Sequence, residues 1–166
     1  MQIKRRFSKT FAAVLMTALT AALLAAGALG AEQTRESYVA QVEPICKKNT
    51  KANEQILAGV EKTIRQGKLA VAAGKFSRAA SAFGKAVNEI RAVPQPSADA
   101  AKLTKWIGFL KKEKDILSGM SRALKKEQKG KVRSLSIELD RNGRKANNVV
   151  LSFEFDYCLI ESTRFS

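Results

Sequence analysis

The two cysteines carry the most distinctive chemistry in this chain. Cys46 and Cys158 lie far apart in the 166-residue sequence, which contains no histidine. Two thiols do not complete a tetrahedral zinc site, and the sequence has no C-x-x-C redox spacing. An even number of cysteines in an exported protein is typical of structural disulfides. We therefore predict a Cys46–Cys158 disulfide, in preference to a metal-binding pair or a reactive thiol.

The residue groupings that support most enzymatic chemistry are missing. Without histidine there is no Ser-His-Asp triad, no Cys-His pair and no H-E-x-x-H metal motif, and the ten glycines form no phosphate-binding loop. Glu154 and Asp156 share a face only in a strand, as do Glu138 and Asp140, and such pairs are usually solvated. We expect no enzymatic activity, no catalytic residue, no metal and no cofactor.

Basic residues are the remaining functional signal. Between residues 102 and 145 there are 14 Lys and Arg residues against 5 acidic ones. The pattern fits either a solvated face or a contact surface for an anionic polymer or acidic lipid headgroups. Nucleic acid is a weaker candidate, because no aromatic residue occurs between 111 and 145. The candidate anion contacts are Lys111, Lys112, Lys114, Lys125, Lys126, Lys129, Lys131, Arg133, Arg144 and Lys145.

The N-terminus has the form of an export signal. A basic start with Lys4, Arg5, Arg6 and Lys9 precedes an uncharged run over 11–30 that ends in small residues. We predict a signal peptide over 1–31, cleaved after Gly30 or Ala31; an uncleaved membrane anchor is the alternative. Residues 32–166 then form one domain that keeps 26 basic and 15 acidic residues, a net charge of about +11.

Four segments with helical spacing of apolar residues must position these groups. The spacing predicts helices over 34–66, 69–91, from Ser97 to a break at Gly130, and 132–157. Pro44 either follows a short lead-in helix or lies in the first turn of the main helix. Trp106, the only tryptophan, falls on the apolar stripe of the third helix and is expected in the core.

The last segment, 132–158, allows two interpretations. Its apolar residues continue a helical face, but "RSLSIELD" and "VLSFEFDYCL" also alternate like strands around an Asn-Gly turn signal. An isolated hairpin is marginally stable, and three amphipathic helices leave a groove for a fourth. We favour an all-α, antiparallel up-down four-helix bundle closed by the disulfide. Three helices with a C-terminal β-hairpin are the alternative.

The chain resembles a group of small exported bacterial helical proteins that have one cysteine pair and no assigned function. The matching stretches are "YVAQVEPIC", "AVPQP" and "KANNVVLSFEFDYC" followed by "STRFS". The resemblance implies export, helix and paired cysteines, and it carries over no activity.

The leading functional interpretation is a secreted or cell-envelope interaction module, basic, monomeric and non-enzymatic. It would contact anionic partners through the face of the third helix. The alternative is a carrier for a small apolar ligand, with a bundle interior lined by Phe76, Phe83, Trp106 and Phe153.

Overall fold

The helices of this protein end where the backbone leaves the right-handed helical region. The computed structural model describes residues 32–161. Between its helices, the backbone is left-handed at Gly59, Gly67 and Glu127, with φ of 65°, 72° and 54°. The predicted signal peptide over 1–31 lies outside the described residues. The five α-helices between residues 32 and 161 are α1 (Arg35–Leu57), α2 (Val60–Arg65), α3 (Leu69–Ala92), α4 (Ala100–Lys125) and α5 (Lys129–Val149).

The four long helices form the predicted four-helix bundle. α1 packs against α3, α3 against α4, and α4 against α5, while short α2 packs on α3. Short connections make successive long helices antiparallel. No strand occurs between residues 32 and 161, so the C-terminal hairpin alternative is wrong.

The space between α1 and α5 is filled by residues 150–161, which we call the C-terminal tail. It begins with a 3-10 turn at Leu151–Phe153 and then turns back at Glu154, whose φ is 52°. The Glu43 carboxylate of α1 accepts hydrogen bonds from the backbone N–H groups of Asp156, Tyr157 and Cys158. On the other side, Asn147 of α5 exchanges two hydrogen bonds with the backbone of Ile160. The tail therefore joins the first and last helices.

The disulfide between Cys46 and Cys158 is confirmed and fixes the tail to the middle of α1. Around it, the aromatic rings of Trp106 and Phe155 stack at 5.3 Å between centroids, and those of Phe155 and Phe153 at 5.5 Å. Trp106 is completely buried, as predicted for a core residue. Each such ring pair adds about 0.5–1.5 kcal/mol beyond simple burial, so this end of the core depends on the tail.

Several local expectations for the helices are wrong. The segment predicted as one helix over 34–66 is divided at Gly59, and Pro44 lies inside α1 at an exposed position, where the helix forgoes one backbone hydrogen bond. Ser97 opens a 3-10 turn rather than capping α4. The break predicted at Gly130 comes earlier, because Glu127 adopts the left-handed conformation and Gly130 lies within α5.

The last helix also ends earlier than its apolar spacing predicted. α5 stops at Val149, so Phe153 and Tyr157 reach the interior from the tail and not from a helical face. Phe155, which falls off the predicted helical face, is buried for the same reason. A straight continuation of α5 would carry Cys158 away from Cys46, and the disulfide and the Glu43 hydrogen bonds favour the turned-back path.

Candidate functional site

The outer surface of α4 and α5 carries a continuous groove. Three hollows of about 640, 450 and 400 Å³ follow one another along these two helices. The first and second share Phe109 and Lys145, and the second and third share Lys112 and Glu138. From Lys102 to Lys126, α4 covers about 36 Å at 1.5 Å per residue, so the groove is long rather than round. We call it the α4–α5 groove.

Most charged side chains along this groove are basic. Its lining includes two acidic residues, Asp115 and Glu138. Against these stand eight basic residues, Lys102, Lys105, Lys112, Arg122, Lys126, Lys131, Arg141 and Lys145. Grooves lined by one sign of charge concentrate counter-ions of the opposite sign.

The ionisation of Glu138 reports the positive field in the middle of the groove. Its carboxylate lies 2.9 Å from the Lys112 ammonium. That hydrogen bond, with smaller contributions from the charges of Lys131 and Arg141, lowers the pKa of Glu138 below its ordinary value. Because both partners are largely exposed, the ion pair adds little stability, and Lys112 stays available for exchange with another anion.

The centre of the groove also presents apolar surface. Phe109 is half-buried at the junction of two hollows, and Ile137 is 54% exposed beside it. The prediction that nucleic acid is a weaker candidate was based on the absence of aromatic residues between 111 and 145. Phe109 lies just outside that range and was therefore missed. The groove thus combines cationic side chains with one accessible aromatic ring.

The structure divides the predicted anion contacts between the groove and other surfaces. Lys112, Lys126, Lys131 and Lys145 line the groove. Lys114 lies on the α3 side, where its side chain packs near Gly84 and its ammonium pairs with Asp115. Arg144 pairs with Asp140. The remaining predicted contacts are exposed but are not among the groove-lining residues: Lys111, Lys125, Lys129 and Arg133.

Four groove residues were missed because the prediction followed charge density along the sequence. They are Lys102, Lys105, Arg122 and Arg141. A helical-face criterion finds them: on α4, positions 102, 105, 109, 112, 119, 122 and 126 recur at three-, four- or seven-residue steps. Residues 131, 138, 141 and 145 of α5 follow the same rule.

The bundle interior is packed where a carrier would need space. Of the four aromatic residues expected to line a ligand cavity, Phe76, Trp106 and Phe153 are buried in the core, and Phe83 borders a small, partly open cavity. That cavity measures about 50 Å³. Sites for drug-sized ligands usually measure about 300–1,000 Å³.

The residues between 32 and 161 provide neither a metal-binding cluster nor a membrane-spanning helix. Between residues 32 and 161, no group of three or more cysteine, aspartate or glutamate side chains is placed to hold a metal ion. Within the same residues, every helix is too short or too polar to cross a bilayer.

No protein-family model, curated protein sequence or solved structure matches this chain. The geometry of the molecule is therefore the only guide to its function. The resemblance to small exported bacterial proteins stays a prediction.

Proposed function

We propose that this protein is an exported, non-enzymatic module that binds an anionic polymer along the α4–α5 groove. The observation that carries the proposal is the continuity of the groove, with eight basic and two acidic residues along its length. A surface of this length suits a chain of repeated anionic groups better than a single small anion. The disulfide is consistent with an oxidising location outside the cytoplasm.

The contact between Lys112 and Glu138 shows where an anionic group of a partner would bind in the groove. The Glu138 carboxylate neutralises part of the positive charge and occupies a position that an anionic group of a polymer would take. Binding would exchange one exposed carboxylate for another, at low cost, because exposed ion pairs contribute about 0–1 kcal/mol.

A matched pair of variants tests the proposal. The groove variant replaces Lys102, Lys105, Arg141 and Lys145 with glutamine. The control variant replaces Lys48, Lys51, Lys62 and Lys68, four exposed residues outside the groove lining, and removes the same net charge.

On immobilised heparin, the wild type and the control variant should elute at similar salt concentrations, and the groove variant at a clearly lower one. Loss of up to four contacts should reduce the slope of log affinity against log salt by about 0.7–0.9 per contact. If both variants elute at equally reduced salt concentrations, net charge and not the groove determines retention. Anionic vesicles in place of heparin test the lipid alternative, which predicts stronger retention there.

The packing favours this module over the small-ligand carrier. A 50 Å³ cavity does not accommodate an apolar ligand of ordinary size.

A further inference from the structure

Glu113 is an acidic residue in the interior, on a different side of α4 from the groove. It is 3% exposed, and its Oε2 atom has no hydrogen-bond partner. Burial of this kind disfavours the charged form and raises the pKa of Glu113 to about 8. An unpartnered buried carboxyl oxygen costs free energy of folding, so its retention calls for an explanation beyond packing.

A second unpartnered polar atom lies in the lining of the same cavity. Asn53 of α1 is 2% exposed, and its Oδ1 atom accepts no hydrogen bond, while its Nδ2 donates to Asn49 at 2.9 Å. Glu113, Asn53 and Asn49 all border the cavity of about 50 Å³ that the C-terminal tail covers. The cavity is therefore bordered by two buried side-chain oxygen atoms that have no hydrogen-bond partner.

This cavity differs from the groove in having no basic residue in its lining. Its lining contains Glu113 and Glu161 and no lysine or arginine, whereas each of the three groove hollows is lined by several basic residues. Much of the remaining lining is apolar and includes Phe83, Val87, Leu110 and Ile160. Two unpartnered oxygens in a lining that is largely apolar suit a ligand with a cationic donor head and a short alkyl part.

We propose that this cavity binds a small primary alkylammonium group, held by the Glu113 carboxylate and the Asn53 side-chain oxygen. An ammonium group carries three N–H donors and no acceptor, which complements the two unpartnered oxygens. The volume also fits: a water molecule needs about 10–15 Å³ by this measure, so the cavity admits a head group of a few heavy atoms.

Binding of a cation is coupled to the loss of a proton from Glu113. At neutral pH the buried acid is mostly protonated; the bound ammonium stabilises the carboxylate, and the proton passes to solvent. The other lining residues that titrate are Tyr157 and Glu161 of the tail, since the α1 and α3 side chains facing the cavity are uncharged. A pKa of about 8 leaves roughly a tenth of Glu113 ionised at pH 7 and nine-tenths at pH 9. Apparent affinity should therefore rise about tenfold between these two pH values.

Calorimetric titration with methylammonium chloride tests this site, with tetramethylammonium chloride at equal ionic strength as the control cation that lacks N–H donors. We expect saturable methylammonium binding that is about tenfold tighter at pH 9 than at pH 7 and that releases close to one proton at pH 7. Proton release is read from the dependence of the binding heat on the ionisation heat of the buffer.

Two variants locate the binding. Glu113→Gln keeps the shape of the side chain and should abolish both binding and proton release, whereas Glu89→Gln removes an exposed carboxylate outside the cavity and groove linings and should change neither. Binding of both cations alike, or unchanged binding by Glu113→Gln, would overturn the proposal. Absence of binding at both pH values would show that the cavity holds water only and would also overturn it. None of these results bears on the α4–α5 groove, which the same variants leave intact.

Discussion

Removing the disulfide should lower the stability of this protein by a large part of its total. Replacing Cys46 and Cys158 with alanine opens a loop with a sequence separation of 112 residues. The chain-entropy relation for a loop of this length gives a loss of about 4.8 kcal/mol at 25 °C. Both cysteines are buried, so the lost sulfur contacts add to the effect. A typical domain is stable by about 5–15 kcal/mol in total.

The noncovalent contacts of the tail determine whether the variant unfolds in one step or releases the tail first. Glu43 and Asn147 still hold the backbone of the tail, and Phe153 and Phe155 remain packed near Trp106. We therefore expect cooperative unfolding at lower denaturant concentration, without earlier release of the tail.

Urea unfolding followed by circular dichroism and tryptophan fluorescence measures this effect. Trp106 lies beside Phe155 and reports the tail, while circular dichroism reports the helices. With a slope of about 1.5 kcal/mol per molar urea, the midpoint should fall by about 3 M, and both probes should change together. The wild type in reducing agent is the matched control and should behave like the variant. A loss below about 1 kcal/mol would refute the entropic argument, and an earlier fluorescence transition would refute continued docking of the tail.

Three further substitutions test single features of the protein. Glu113→Gln should remove a pH dependence: the buried acid stays protonated to about pH 8 in the folded state but ionises near 4.5 in the unfolded chain. Its contribution to stability is therefore fully present below pH 4.5 and is lost as pH rises to 8, by at most about 1.4 kcal/mol per pH unit. Urea midpoints between pH 4 and 9 should show this decline in the wild type and a flatter profile in the variant; parallel profiles would contradict it. Gly143→Ala should destabilise the protein by about 1–2 kcal/mol, because the added Cβ would lie 2.8 Å from the Ile160 side chain and displace the tail. Gly130→Ala is the control, because Gly130 also lies within α5 but no atom lies within 4 Å of the added Cβ. This substitution should stabilise the protein by about 0.5–1 kcal/mol. Thermal melts in which both variants have a higher Tm than the wild type, or both a lower one, would contradict the packing argument.

The sequence was most informative where local signals and burial agree. α3 was predicted over 69–91 and runs to Ala92, because Gly67 and Pro94 bracket a regular apolar spacing. Trp106 was placed in the core for the same reason. The disulfide followed from cysteine count and compartment, which need no three-dimensional information.

The tail and the groove depend on contacts between distant parts of the chain. The chain beyond Val149 contacts Glu43, more than a hundred residues earlier, and apolar spacing alone, which cannot show such contacts, predicted a longer helix. The groove requires the pairing of α4 with α5, which brings Lys105 and Lys145 to one hollow. Sequence density instead pointed to Lys125 and Lys129, which lie outside the groove lining.

The most direct test of the central claim is a lysine footprint of the protein bound to heparin. Acetylation is followed by mass spectrometry with and without the polymer. If the polymer lies along the α4–α5 groove, Lys102, Lys105, Lys112, Lys126, Lys131 and Lys145 should be protected. Lys48, Lys51, Lys62 and Lys68 should react as in the free protein. Uniform protection of all exposed lysines, or protection confined to the second group, would contradict the account.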